Sequence, residues 1–157
     1  MNSSPDDELW ENILAFDREY ATRVISQWLK ISDKIGVLDA ALKSPRNRQA
    51  ALRLLITLDE ETKRNLFGTL VDLASVGHSD VSLCRNTICS IDRRWVLDHI
   101  EPVINAILAN ATDEEYRRLA ELCVILDKSA LKNVVVQALA SRNPHIHEVG
   151  VDFCLYL

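Results

Sequence analysis

The chain has 157 residues, 48% of them apolar, with only four Gly and four Pro and a net charge near −5. That is enough for one domain with a sizeable core, and the composition excludes a disordered polymer. The negative balance argues against nonspecific phosphate binding, which leans on a basic stripe. One run differs: Lys43, Arg46, Arg48 and Arg53 stand within eleven positions that hold no acid. The opening Met-Asn-Ser-Ser-Pro-Asp-Asp-Glu has neither the basic nor the apolar region of a secretory signal. The apolar runs are far shorter than the ~20 residues that span a bilayer. Cys84, Cys89, Cys123 and Cys154 fall on or beside expected core faces and form no Cys-x-x-Cys, so they read as reduced thiols. A cytoplasmic location is expected.

In chain order, residues 6–16 read as a short helix opened by Asp6 or Asp7, with Leu9, Trp10, Ile13, Leu14 and Phe16 as a wide apolar face. Residues 18–31 read as the first full helix, with Val24, Ile25, Trp28 and Leu29 inward. After Asp33 a helix runs through Val37, Leu38, Ala41 and Leu42 and stops at Ser44-Pro45, since Pro disfavours helical geometry in the residue before it. An A helix then covers about 46–58, and a B helix follows through Leu66, Phe67, Leu70, Val71 and Leu73 to Gly77. The next pair is an A helix at about 79–91 and a B helix through Val96, Ile100, Val103, Ile104, Ile107 and Leu108. Thr112 with Glu115 has capping-box spacing and opens a third A helix. Its B helix runs through Leu131, Val134, Val135, Ala138 and Leu139. Asn143-Pro144 closes that helix and sets Pro in the first turn of the last one.

The dipeptide Leu/Ile-Asp recurs at Leu58-Asp59, Ile91-Asp92 and Leu126-Asp127, and Asp33 after Ile31-Ser32 is a fourth member. Upstream of each Asp stands one apolar face at helical spacing: Ala51, Leu55, Leu58; Val81, Cys84, Ile88, Ile91; Tyr116, Leu119, Cys123, Leu126. A carboxylate at such a junction accepts hydrogen bonds from the free N–H groups of the following helix and favours the positive end of its dipole. The expected value is about 1 kcal/mol per cap. Ile146, Val149, Phe153 and Tyr156 repeat the A-helix spacing, so the last element reads as an A helix without a B helix behind it.

Two-helix units of about 34 residues with Asp at the A-to-B turn are the mark of a stacked repeat. They resemble HEAT or armadillo-like repeats over roughly residues 20–157, and His99-Ile100-Glu101-Pro102-Val103-Ile104-Asn105-Ala106-Ile107-Leu108 is similar to a HEAT B helix. The chain departs from that pattern in the shortened unit at Asp33 and in Arg53, Arg85 and Arg117/Arg118, which are out of strict register. The Trp, Gly, Tyr and Pro signature of tetratricopeptide repeats is missing. The resemblance implies an all-α domain over 1–157, a right-handed superhelical stack of antiparallel helix pairs. The approximate units are 6–45, 46–77, 78–111, 112–143 and a terminal half-unit, 144–157. It also implies that the B-helix side is concave and faces a ligand.

His145-x-His147-Glu148, with Asp152 and Cys154 nearby, is the best candidate metal cluster. On a helix the two histidines diverge by about 200°, so no metal is expected there. His99 occupies the place that Leu66 and Val134 hold in the other pairs, which points to a core or boundary histidine. The chain has no Gly-rich phosphate loop, nucleophile elbow, Cys/His zinc pattern or HExxH, so neither catalysis nor a cofactor is expected. What remains is a ladder of outward B-helix positions: Asn65, Asp98, Asn133; Thr69, Pro102, Gln137; Asp72, Asn105, Ala140, with Glu101 beside them.

The expected function is a protein-binding or assembly module that uses this polar face. One alternative is an immunity protein that neutralises a cognate toxin, since an acidic surface speeds encounter with a basic one. Another is an enzyme on the same fold acting on nucleic acid or a cofactor, as alkylpurine glycosylases and bilin lyases do. An association of two copies through the last helix is also expected, because Val151, Leu155 and Leu157 lie off its apolar stripe.

Overall fold

The computed structural model describes residues 4–157, and among these every regular element is an α-helix. The chain divides into two compact units, one ending at Gly36 and one running from Val37 to Leu157.

The first unit is built on α1 (Pro5–Trp28). Ser4 caps it: the Ser4 hydroxyl accepts from the Asp7 N–H at 3.2 Å, and the Asp7 carboxylate accepts from the Ser4 N–H at 2.8 Å. The two helices expected over 6–16 and 18–31 are therefore one. Asp17 and Arg18 are tolerated inside a helix, and no Gly or Pro stands there to stop it. The apolar faces also differ from expectation. Leu14 and Val24 are half-buried and Trp28 is buried, but Leu9, Trp10, Ile13, Phe16, Ile25 and Leu29 lie exposed. The Lys34 ammonium sits 5.8 Å from the centre of the Trp28 ring and donates to the Ile31 carbonyl.

The helix α2 (Lys34–Lys43) starts in the first unit, where the Asp33 carboxylate accepts the Gly36 N–H at 2.9 Å, and continues into the second. There follow α3 (Pro45–Thr57), α4 (Glu60–Asn65), α5 (Phe67–Ala74), α6 (Val81–Cys89), α7 (Arg93–Leu108), α8 (Asp113–Leu126), α9 (Lys128–Ala140) and α10 (Pro144–Cys154). The expected caps form. Asp59, Asp92 and Asp127 accept the N–H groups of Thr62, Trp95 and Ser129 at 2.8, 2.9 and 2.8 Å. Thr112 and Glu115 make their capping box, and Asn143 accepts the His145 N–H ahead of α10. The B helix after Asp59 breaks at Leu66 into α4 and α5, which lets the consecutive Leu66 and Phe67 both point inward.

Inside the second unit α3 packs on α6 and α8 on α10, while α5 packs on α7 and α7 on α9. The faces upstream of the capping aspartates become core: Leu55, Cys84, Ile88, Leu119 and Cys123 are fully enclosed. Each large aliphatic side chain so buried contributes roughly 1.5–3 kcal/mol. Ion pairs join helices about one helix pair apart. Arg85 reaches Glu121 at 2.6 Å, and Arg117 reaches Asp152 at 2.9 Å. At the α5–α6 turn the Asp80 N–H donates to His78 Nδ1, so Nε2 carries the proton and donates to the Leu73 carbonyl at 2.8 Å.

Three expectations for side chains change. The basic run over 43–53 is divided between core and surface. Arg48 is buried, with Nε donating to the Leu42 carbonyl at the end of α2, and Lys43 pairs with Asp39, leaving Arg46 and Arg53 exposed. His99 is not a core residue. The inward row of α7 is Val96, Ile100, Ile104 and Leu108, and its four-residue step turns His99 outward. Tyr156 leaves the stripe of Ile146, Val149 and Phe153 because α10 ends at Cys154, and it lies exposed.

Candidate functional site

The outward residues of α4, α5, α7 and α9 divide into groups that the ladder in the sequence does not foreshadow. On α7 and α9 three of them meet. Asn105 Oδ1 accepts from Gln137 Nε2 at 2.8 Å and from Asn133 Nδ2 at 3.2 Å, and Gln137 Nε2 also approaches Asn133 Oδ1 at 3.0 Å. One turn of α9 separates Asn133 from Gln137, so both side chains sit over Asn105 across the helix–helix contact. The Gln137 side-chain carbonyl and the Asn105 amide N–H groups take no part in these bonds, one acceptor and a pair of donors. That pairing suits a peptide backbone or another amide. It has no group that could take a proton from water or attack a carbonyl.

The other expected residues lie apart from this cluster. Thr69 on α5 donates its hydroxyl to Asp39 at 2.6 Å, so it is tied to α2. The Lys43 ammonium first, and then Thr69, hold the Asp39 carboxyl below its ordinary value. Asn65 turns back to the Glu61 carbonyl at the end of α4. Asp72 on α5 and Asp98 and Glu101 on α7 are exposed. The expected residues thus divide into an amide centre at α7/α9 and exposed carboxylates on α5 and α7.

One neighbouring feature escaped the sequence reading. Trp95, in the first turn of α7, stacks with the His99 ring at 4.1 Å and takes the Arg64 guanidinium 5.0 Å from its centre. Phe67 meets it edge-on at 5.3 Å, so α4, α5 and α7 converge on this one indole. The spacing of Trp95 and His99, one helical turn, was the available signal. What it lacked was Arg64, supplied from another helix.

An open cleft of about 230 Å³ lies between α6, α7 and α8, lined by Ile88, Cys89, Arg93, Val96 and Ile125. Ligand pockets usually span roughly 300–1,000 Å³, so this one is small for a cofactor. Two residues beside the candidate metal cluster have other partners: Asp152 pairs with Arg117, and the Cys154 thiol donates to the Val151 carbonyl. Among the described residues no three His, Cys, Asp or Glu side chains gather into a metal-binding group. None of the described helices is long and apolar enough to cross a membrane.

No family model matches the chain, and comparison with curated proteins and with solved structures yields no match.

Proposed function

We propose that this chain is a HEAT-like helical-repeat module that binds another protein through the side carrying α5, α7 and α9, without catalysing a reaction. The observation that carries the reading is the amide cluster of Asn105, Asn133 and Gln137, which spends three neutral side chains on an exposed helix–helix seam. A right-handed superhelical stack is favoured by the capping Asp at each turn and by contacts between alternate helices, α8 to α10, α5 to α7 and α7 to α9, and from α3 across the broken α4/α5 helix to α6. Such stacks offer one extended side to a partner. Asn65, Thr69, Asp72, Asp98 and Glu101 would form the rest of the contact. The test is affinity capture from source lysate with wild-type protein, Gln137→Arg, Asn105→Arg and the α6 control Ser82→Arg. The expected result is a partner held by wild type and Ser82→Arg and lost with either arginine on α7/α9. Identical captures by all four would end the reading.

A narrower version is immunity against a basic toxin. Asp72 on α5 and Asp98 and Glu101 on α7, all exposed, favour it. Charge complementarity of this kind raises the association rate and makes it fall with salt. Association with the product of an adjacent toxin gene, slowed steeply by raised ionic strength, is the expected outcome; salt-independent binding would remove it.

A further inference from the structure

The helix α1 presents an apolar seam that nothing in its own unit covers. Leu9, Ile13, Phe16 and Tyr20 are 61, 54, 70 and 70% exposed, and they recur at steps of four, three and four residues. That is the d-a-d-a order of a coiled-coil seam. Asp6 and Arg23 continue the same two rows at its ends. Leu14 and Trp28, which are half-buried and buried, lie about 100° around the helix from the a row, so the seam does not compete with them.

The order of residues along the seam selects its occupant. If a second copy of α1 lies antiparallel, Leu9 meets Tyr20 of the second copy and Ile13 meets Phe16 of the second copy. Each aliphatic residue then faces an aromatic one, and every a position faces a d, as antiparallel packing requires. The next layer outward on both ends pairs Asp6 with Arg23 of the second copy. The seam is therefore self-complementary about a two-fold axis, which is the condition for an isologous dimer. A parallel copy would instead set Asp6 against Asp6 and Arg23 against Arg23, and such like-charge contacts are costly. Arg23 is free to turn: its in-helix partner Glu19 and Arg23 itself are both largely exposed.

The area suffices as well. Aromatic side chains bury about 150–250 Å² each, so Trp10, Phe16 and Tyr20 with the smaller Leu9 and Ile13 offer roughly 600 Å² per helix. Two such faces reach about 1,200 Å², the lower bound of a specific interface. We infer that two copies of this chain associate through α1, as an antiparallel pair across Leu9, Ile13, Phe16 and Tyr20 with an Asp6–Arg23 ion pair at each end. This inference is independent of the partner-binding face proposed for α5, α7 and α9.

Sedimentation equilibrium of the full chain from about 1 to 200 μM tests it, with circular dichroism confirming unchanged helix content in each variant. The wild type is expected to pass from monomer to dimer in that range. Phe16→Glu should weaken the dimer at least tenfold, and Asp6→Arg or Arg23→Asp singly should weaken it several-fold. The double swap of Asp6→Arg with Arg23→Asp should restore it, because only an antiparallel copy regains both ion pairs. A wild-type monomer throughout overturns the inference. So does a dimer that survives Phe16→Glu and is lost with Leu155→Glu just beyond α10, or a double swap no better than the single ones.

Discussion

Arg93 Nη2 lies 3.3 Å from Asp127 Oδ2, so the carboxylate that caps α9 also receives a cation from the first turn of α7. Asp127 already accepts the N–H and hydroxyl of Ser129, and these bonds dominate: they, more than Arg93, hold its carboxyl below the ordinary value. Arg93 is exposed, and surface pairs contribute little. The recurring aspartate is therefore first a cap, and only second a link between neighbouring helix pairs.

Removing a cap should cost more than removing the link. Asp92→Ala is expected to lower stability by about 0.5–2 kcal/mol, since the Trp95 N–H loses its acceptor. Arg93→Ala should lower it less. Chemical denaturation of the two variants beside the wild type decides; equal midpoints for Asp92→Ala and wild type would remove the capping argument.

The caps also set an acid limit. In Asp59 the Thr62 N–H, then the Thr62 hydroxyl, lowers the carboxyl below 3.8, and Asp127 is lowered by Ser129. Glu121 is lowered as well: burial pushes it up, but the bonds from Arg85 and Arg118 outweigh burial. Groups with a depressed native pKa add stability that is present above the unfolded value and lost as pH falls through the native one. Denaturation midpoints are thus expected to hold near neutrality and fall steeply below about pH 4. Asp59→Asn should be less stable at pH 6 and show a shallower acid decline; an unchanged decline would contradict the assignment.

Gly150 in α10 stands where α9 comes closest. A Cβ there would lie 2.8 Å from Leu139 Cγ and 2.9 Å from the Leu139 backbone N, and the backbone atom cannot swing aside. Ala favours a helix over Gly by about 1 kcal/mol. Overpacking typically costs about 1–3 kcal/mol, so Gly150→Ala should destabilise on balance. A rise in the melting temperature of that variant would show that α10 can shift at no cost.

The four thiols should react in two classes. Burial pushes Cys84 up to about 11 and Cys123 up to about 12, and both are enclosed. Cys89 and Cys154 are exposed, though Cys89 is raised by partial burial. Iodoacetamide at pH 8 is expected to label Cys154 first, Cys89 next, and Cys84 and Cys123 only on unfolding. Peptide mapping against time checks the order, and early labelling of Cys123 would refute its enclosure.

The features legible in the chain are those that neighbours in sequence decide. A capping Asp needs only the N–H groups two or three residues on, and so Asp59, Asp92, Asp127 and the Thr112–Glu115 box could be read directly. Helical periodicity likewise placed Leu55, Ile88, Leu119 and Leu131 in the core, because one face of each helix must leave water. Other features depend on which elements meet, and no local pattern carries that. The same apolar periodicity that buries Leu55 leaves Leu9 and Phe16 exposed on α1, since periodicity describes a face and not its cover. Arg48 reads as one of a basic run until the end of α2 arrives to receive it, and His99 reads as core or boundary until the four-residue step of α7 turns it out onto Trp95. Asn105, Asn133 and Gln137 are three separate polar residues in the chain. Only the contact of α7 with α9 makes them one group, because a hydrogen bond requires its partners within about 3 Å and sequence separation says nothing of that distance.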